Sequence, residues 1–101
     1  MLMKILWTKK AENQLIEIYT YYKRKVSAKI AKSIKQKIFN RTEILQTQPK
    51  SGQQEELLKD RNSEYRYLVE SNFKIIYWIE KDTVSIAAVF DCRRNPDCLT
   101  V

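Results

Sequence analysis

The stretch FKIIYWIEKDTVSIAAVFD, residues 73–91, carries the clearest fold signal in the chain. Residues 73–80 and 83–91 are rich in β-branched and aromatic side chains, which favour strands. Lys81-Asp82 between them has the length of a tight hairpin turn. The stretch therefore predicts two adjacent antiparallel strands.

The length of this turn also predicts the register. A two-residue turn pairs Glu80 with Thr83, so alternate residues of the two strands share a face. The face predicted to be apolar and to pack on helices carries Ile75, Tyr77, Ile79, Val84, Ile86, Ala88 and Phe90. The opposite face, called the open face below, is predicted to carry Lys74, Ile76, Trp78, Ser85, Ala87, Val89, Asp91 and Arg93.

A further strand, YRYLV, begins at Tyr65 and precedes this hairpin. A three-residue loop over residues 70–72, with Asn72 in the left-handed conformation, places Tyr65 and Tyr67 on the helix side and Arg66 on the open face. A two-residue loop would reverse the faces and bury Arg66. The hydrophobic pattern favours the three-residue loop.

The N-terminal half predicts a short strand over residues 3–7 and two helices. Thr8 and Ser27 are candidate N-caps, since each hydroxyl can accept an otherwise unpaired amide. The apolar stripes are predicted to contain Ala11, Leu15, Ile18, Tyr19 and Tyr22 on the first helix and Ile30, Ala31, Ile34, Ile38 and Leu45 on the second. Joined through a basic turn over residues 23–26, the helices form an antiparallel hairpin. The polar stretch over residues 53–64 is predicted as a loop.

Together these elements predict an α+β fold in the order β-α-α-β-β-β, with an antiparallel sheet packed on the helical hairpin. With 101 residues, 44% of them hydrophobic, and no repeat, the chain is expected to be a single domain over residues 1–101. It has no apolar run near the ~20 residues of a membrane helix, and residues 1–7 are too short for a signal peptide. A cytoplasmic protein is expected.

The positive charge lies in the first half of the chain. Residues 1–46 contain eleven Lys and Arg against three acidic residues, whereas residues 47–101 contain eight against nine. No acidic residue stands between Glu17 and Glu43. Such a run is most often a solvated helix face, and the alternative is a binding surface for an anionic partner. Arg41 falls within the apolar stripe, so it must either reach solvent or meet an acidic group.

The open face is predicted to gather cations around an indole: Arg66, Lys74, Arg93, Arg94 and Trp78. Such a face suits phosphate and base contacts or an acidic protein strand. The alternative is an ordinary sheet surface in which Lys74 pairs with Asp91.

The chain contains few side chains suited to acid–base catalysis or to metal binding. With no His, the chain lacks the usual neutral-pH acid–base group. Cys92 and Cys98 cannot complete a four-ligand zinc site and are expected to be reduced. No metal and no cofactor are expected.

As a whole, the chain resembles the RelE/ParE superfamily of toxins from type II toxin–antitoxin modules. The element order matches over essentially all 101 residues. The fragments that carry the resemblance are Trp7-Thr8-Lys9-Lys10-Ala11, Pro49-Lys50-Ser51-Gly52, Tyr65-Arg66-Tyr67-Leu68-Val69, Phe73-Lys74-Ile75-Ile76-Tyr77 and Val89-Phe90-Asp91-Cys92-Arg93-Arg94-Asn95-Pro96. The resemblance implies a growth-inhibiting toxin that a cognate antitoxin neutralises in a hetero-oligomer.

The superfamily divides by target. RelE-like members cut messenger RNA in the ribosome with basic residues on the open face and a tyrosine near the C-terminus. The matching candidates here are Arg66, Lys74 and Arg93, but Leu68 stands where a second lysine would fall, and no tyrosine follows Tyr77. The endoribonuclease is therefore the alternative.

ParE-like members poison DNA gyrase without known catalytic residues, and their fragments around residues 49–52 and 93–96 are closer to this sequence. The resemblance therefore favours the ParE branch. A basic nucleic-acid-binding module without a toxin role is the second alternative.

Two surfaces are expected. Target binding is assigned to Arg93, Arg94, Trp78, Lys74 and Arg66. Arg93 and Arg94 are expected to point to different faces, as neighbours in a strand do. Binding of an acidic, amphipathic antitoxin segment is assigned to Ile16, Lys29, Lys32 and Arg41.

Overall fold

The computed structural model describes residues 2–54 and 64–94. Its elements are β1 (Lys4–Trp7), α1 (Lys9–Lys25), α2 (Ala28–Thr42), a 3-10 helix (Glu43–Gln46), β2 (Gln53–Gln54), β3 (Tyr65–Glu70), β4 (Phe73–Glu80) and β5 (Thr83–Asp91). They form one sheet in the order β1-β5-β4-β3-β2, in which β1 runs parallel to β5 and the other pairs are antiparallel. The predicted α+β order is confirmed. One strand was missed, because Gln53 and Gln54 lie in the stretch predicted as a loop.

Both predicted helix caps are present. The Thr8 hydroxyl accepts from the Ala11 amide, and the Ser27 hydroxyl accepts from the Ile30 amide. Only Val26 and Ser27 separate the helices, so the basic residues 23–25 belong to α1 instead of the predicted turn. Ile30 is 43% exposed, contrary to the prediction that it lies in the apolar stripe. The buried face of α2 contains Ala31, the next residue in the chain, and Ile38.

The core lies between the helices and one face of the sheet. Its fully buried members include Ala11, Ala31, Ile38, Leu45, Ile75, Tyr77, Val84 and Ile86. Tyr77 ties the segment before β2 to this core, since its hydroxyl donates to the Pro49 carbonyl at 2.7 Å and accepts from the Gly52 amide at 3.0 Å. A Cβ at Gly52 would lie 2.5 Å from that hydroxyl, so only glycine fits.

The register of β4 and β5 is the predicted one only near the turn. Glu80 pairs with Thr83 as expected, but a bulge at Ala87 shifts the pairing beyond Tyr77. Past the bulge the faces exchange. Val89 and Asp91 therefore face the helices. Their predicted place on the open face was wrong, as was the predicted helix side for Ala88 and Phe90.

The start of α1 explains the bulge. The Ile86 carbonyl accepts from the Thr8 amide at 3.2 Å and from the Thr8 hydroxyl at 2.8 Å. The Val89 amide donates to the Gln14 side chain at 2.8 Å. A bulge leaves strand groups unpaired, and here α1 supplies the partners.

The β3–β4 loop also differs from prediction. Glu70 pairs with Phe73, so the turn is the two residues Ser71-Asn72, and the left-handed residue is Ser71 with φ 55°. The faces of β3 are therefore reversed. Tyr65, Tyr67 and Val69 line the open face, whereas Arg66 and Leu68 point to the helix side. Leu68 is buried there, and Arg66 reaches backbone carbonyls at the sheet edge.

Within residues 2–54 and 64–94, no helix is long and apolar enough to cross a membrane. The same residues contain no cluster of His, Cys, Asp or Glu that could hold a metal ion. Cys92 is buried and is not a free thiol, which differs from the expected reduced state. Cys98 lies outside the described residues.

Candidate functional site

Arg93 and Arg94 follow β5 in a turn that directs both of them to α1. The Arg93 amide donates to the Asp91 carboxylate at 3.1 Å, and the Arg94 amide donates to the Asp91 carbonyl at 3.1 Å. These bonds end the strand, so its alternation of faces does not continue. The expectation that the two arginines point to different faces was wrong.

Arg93 belongs to a network with a buried tyrosine of α1. The Tyr22 hydroxyl donates to the Asp91 carboxylate at 2.6 Å and accepts from the Arg93 guanidinium at 3.1 Å. Burial raises the pKa of Tyr22, and the hydrogen bond and negative charge of Asp91 raise this pKa further, whereas Arg93 lowers it. Tyr22 therefore stays a neutral donor that fixes Asp91 and Arg93.

Arg94 lies on the neighbouring tyrosine. Its guanidinium carbon is 3.9 Å from the centroid of the Tyr21 ring, a cation–π contact. Beside this pair is an open cleft of about 420 Å³, called the α1 cleft below. It is lined by Ile16, Glu17, Thr20, Tyr21, Arg24, Lys25 and Arg94.

Lys74 and Trp78 lie on the open face, as predicted. The Lys74 ammonium sits 4.4 Å from the Tyr67 ring centroid, and the Lys74 side chain is buried. Trp78 packs against Tyr65 with ring centroids 5.7 Å apart. This face is more aromatic than predicted, because the reversal of β3 brings two tyrosines onto it. The alternative, in which Lys74 pairs with Asp91, is wrong, since Lys74 lies opposite Phe90 in the sheet and Asp91 faces the helices.

Arg66 is not on the open face. Its guanidinium donates to the Gly52 carbonyl at 2.8 Å and to the Glu64 carboxylate at 3.1 Å. It therefore anchors the segment before β2 on the helix side of β3. Lys74, Arg66 and Arg93 lie in three separate places, so the structure does not bring the predicted catalytic candidates together.

The residues assigned to the antitoxin divide between the two helices. Ile16 is 57% exposed on α1 and lines the α1 cleft. Lys29 and Lys32 are exposed on α2, whose span contains no acidic residue. Arg41 is half-buried and makes no salt bridge with an acidic side chain in the described parts of the chain.

Sequence reasoning missed the part that Tyr21 and Tyr22 play in positioning the two arginines. The sequence pattern places Tyr22 in the apolar stripe of the first helix and predicts no role for Tyr21. The register prediction had placed Asp91 on the far side of the sheet, out of reach of α1. The available signal was the pair of adjacent tyrosines near the end of a helix that packs on the last strand.

The second buried phenol, Tyr77, leads to a prediction about alkaline stability. Burial raises its pKa above the usual 10.0, an effect that the Gly52 hydrogen bond and the charge of Arg66 partly offset. The neutral form is thus favoured in the folded state. Its contribution to stability is complete below pH 10 and is lost as the pH rises through the folded pKa.

We therefore expect the free energy of unfolding to fall above pH 10, and to fall less steeply in Tyr77→Phe. At pH 8 that variant should lose about 1–3 kcal/mol, because Pro49 and Gly52 lose a hydrogen-bond partner. Denaturant unfolding measured from pH 8 to 11 tests this, with Tyr65→Phe as the control. Equal slopes for wild type and Tyr77→Phe would contradict it.

The comparisons with known proteins agree with this architecture. The family model for the ParE toxin of type II toxin–antitoxin systems, parDE, matches residues 5–96. The chain belongs to the ParE toxin family. As a toxin of a type II module, this ParE family member has an antitoxin partner, and the predicted resemblance and branch are confirmed.

Comparison with solved structures identifies a protein with the same fold. A chain of the chromosomal ParDE toxin–antitoxin system from P. aeruginosa superposes with a TM-score of 0.75, over 89% of this chain and 96% of that chain, at 21% sequence identity. At this identity the likeness shows a shared fold. No curated protein matches the chain in sequence.

Proposed function

We propose that this ParE family toxin is a non-catalytic inhibitor of DNA gyrase that acts in the cytoplasm and contacts its target through Arg93 and Arg94. The observation that carries the proposal is that both arginines are exposed and yet held in place. Tyr22 and Asp91 hold Arg93, and Tyr21 holds Arg94. Residues 1–101 are proposed to act as one domain.

Such positioning favours binding. An exposed arginine ordinarily loses side-chain entropy when a partner immobilises it. Here part of that cost is already met in the free protein, because the Arg93 guanidinium donates to the Tyr22 hydroxyl and the Arg94 guanidinium carbon lies 3.9 Å from the Tyr21 ring centroid. The guanidinium edges can then donate paired hydrogen bonds to carboxylates or phosphates of the target.

Lys74 and Trp78 are proposed as a second target contact on the open face. Arg66 is not included, because it is committed to the Gly52 carbonyl and the Glu64 carboxylate. The acidic antitoxin is proposed to bind Ile16 on α1 and the cations Lys29, Lys32 and Arg41 on α2.

The ribosome-dependent endoribonuclease is the weaker candidate. It requires Arg66, Lys74 and Arg93 to act on one messenger RNA phosphate. Arg66 and Lys74 point to opposite faces of the sheet, and Arg93 lies against α1. The second alternative is a basic nucleic-acid-binding protein without a toxin role. No observation on the described residues favours it, and the chain belongs to a toxin family.

Induction of the toxin alone in bacteria, with separate measurements of chromosomal DNA breakage and of messenger RNA cleavage, tests the proposal. We expect growth arrest with DNA breaks, and no message cleavage beyond that of uninduced cells. An uninduced culture and a culture co-expressing the antitoxin are the controls. Message cleavage without DNA breaks would replace the gyrase proposal with the ribonuclease.

A further inference from the structure

We infer that the toxin binds duplex DNA through Lys23 and Lys35, two cations from different helices whose ammonium groups lie over the ring of Tyr19. These three residues are called the Tyr19 site below. The ligand is the phosphodiester backbone, and the choice of DNA over RNA rests on the proposed gyrase target, which acts on DNA. The inference adds a DNA contact to the toxin role, at residues other than Arg93 and Arg94.

The geometry of the Tyr19 site brings two like charges together. The Lys23 ammonium lies 6.0 Å from the centroid of the Tyr19 ring, and the Lys35 ammonium lies 5.6 Å from the same centroid. Lys23 belongs to α1 and Lys35 to α2, and both are exposed, whereas Tyr19 is half-buried. The face of the ring is electrostatically negative, so it attracts both ammonium groups and limits their motion. The site is therefore a held pair of positive charges at the surface where the two helices meet.

The held pair has no counter-charge in the parts of the chain that the structure describes. Over residues 2–54 and 64–94, the salt bridge joins Arg66 to Glu64, and neither Lys23 nor Lys35 takes part in one. Glu17 stands only two positions before Tyr19 on α1, so it points to a different face of the helix. Two positive charges held close together without an anion create a local potential that attracts an anionic ligand.

The surface around the site suits a long anionic ligand. No acidic residue stands between Glu17 and Glu43, so the charged side chains at the end of α1 and along all of α2 are positive. The fifteen residues of α2 give it a length of about 22 Å. A DNA duplex carries about one negative charge per 1.7 Å of its axis, so a duplex lying along α2 brings about a dozen phosphates to this length of helix. A linear polyanion therefore fits the surface, and the Tyr19 site holds two cations in place for it.

The same features favour DNA over an acidic protein. A protein partner ordinarily gains most of its affinity from an apolar or aromatic anchor, but the Tyr19 ring is already in contact with two ammonium groups. Contacts between lysine and phosphate carry no sequence requirement, and a regular backbone can offer a phosphate to each ammonium in many registers. The proposed target also holds DNA, so a duplex is close to the toxin when the toxin acts.

The experiment compares two double substitutions that remove the same charge. Lys23→Ala with Lys35→Ala removes the cations of the Tyr19 site. Lys29→Ala with Lys32→Ala is the matched control, because these lysines are also exposed and make no ring contact, hydrogen bond or salt bridge within the described residues. Binding of each purified full-length toxin to a fluorescent 20-base-pair DNA duplex is measured by anisotropy at several salt concentrations. Circular dichroism checks that each variant is folded.

We expect wild type to bind the duplex with a dissociation constant below about 100 μM near physiological salt. Loss of Lys23 and Lys35 should weaken binding by about tenfold or more. The slope of log affinity against log salt concentration should become shallower by about two, because two phosphate contacts are lost. Loss of Lys29 and Lys32 should change the affinity by less than about threefold and leave the slope nearly unchanged.

Two substitutions of Tyr19 separate the held pair from charge alone. Tyr19→Phe keeps the ring, so it should bind the duplex as wild type does. Tyr19→Leu keeps the net charge and a similar apolar packing but removes the ring, so the ammonium groups are no longer held before binding. It should weaken binding by about threefold with an unchanged salt slope. Equal affinity of the two variants would contradict the role of the ring.

No binding of wild type, or an equal loss of affinity in the two lysine variants, would overturn the inference. Unlabelled competitors test the identity of the ligand. If an RNA hairpin or polyglutamate displaces wild type at lower concentration than unlabelled duplex does, the ligand is RNA or an acidic protein, and the inference fails. These measurements contain no gyrase, so a negative result leaves the gyrase proposal intact. Message cleavage without DNA breaks in induced cells would overturn the gyrase proposal, and the RNA competition would then decide the ligand by itself.

Discussion

Replacing both Arg93 and Arg94 with alanine is expected to abolish growth arrest while the protein remains folded. Both side chains are exposed, so their removal costs little packing. Asp91 keeps the Tyr22 hydroxyl as a hydrogen-bond donor at 2.6 Å when the Arg93 side chain is gone. What the variant loses is the pair of positioned guanidinium groups. If each contributes about 2–4 kcal/mol to target binding, the double variant binds at least about a thousandfold more weakly.

The control for charge alone is Lys29→Ala with Lys32→Ala, which also removes two positive charges from an exposed surface. That variant should remain toxic. Replacement of both arginines by lysine keeps the charge but loses the planar guanidinium, and it should restore only part of the toxicity. Growth, DNA breakage and circular dichroism are measured for all three. A folded double-alanine variant that arrests growth like wild type would move the target site away from the end of β5.

Local signals predicted the elements well. The two helix caps depend on Thr8 and Ser27, whose hydroxyls act within three residues of their own position. The three long strands depend on runs of β-branched and aromatic residues between short polar turns. Such features can be read without knowing what packs against them.

The faces of the sheet could not be predicted in the same way. The bulge at Ala87 is matched by hydrogen bonds from Thr8 and Gln14, which lie more than seventy residues earlier in the chain. No local pattern announces such a partnership. The β3–β4 turn was misread for a different reason, since Ser71 adopts the left-handed conformation that asparagine more often takes.

The register error between β4 and β5 explains the site that sequence reasoning missed. The predicted register places Asp91 on the open face and therefore groups Arg93 with Lys74 and Trp78. The bulge instead turns Asp91 to α1, where Tyr22 and Arg93 meet it. The sequence thus predicted Arg93 and Arg94 as candidate residues at the end of β5. It did not predict which residues contact them, because those contacts depend on the one inserted residue of the bulge. A slip of one position changes the face of every later side chain.

Ile86→Ala is expected to have the largest effect on stability. Ile86 is fully buried on β5 and pairs with Tyr77 on β4 and with Trp7 on β1. It directly precedes the bulge, and its carbonyl accepts from the Thr8 hydroxyl. Truncation of such a residue costs about 2–5 kcal/mol, because it removes buried methyl groups and leaves a cavity that flanking strands cannot close. Against a total stability of roughly 5–15 kcal/mol, this is a large share. The melting temperature should fall by at least about 8 °C.

Two further alanine variants locate the effect. Ile16→Ala removes the same atoms from an exposed position and should change stability by less than about 0.5 kcal/mol. Val89→Ala tests the bulge, since Val89 is buried against the helices only if the register shifts at Ala87. It should cost about 1–3 kcal/mol by the same loss of packing. Thermal and urea unfolding are measured for all three. If Ile86→Ala melts within a degree of wild type, the core between β5 and the helices is not packed as described. If Val89→Ala has no effect on stability, only the register shift at Ala87 is contradicted.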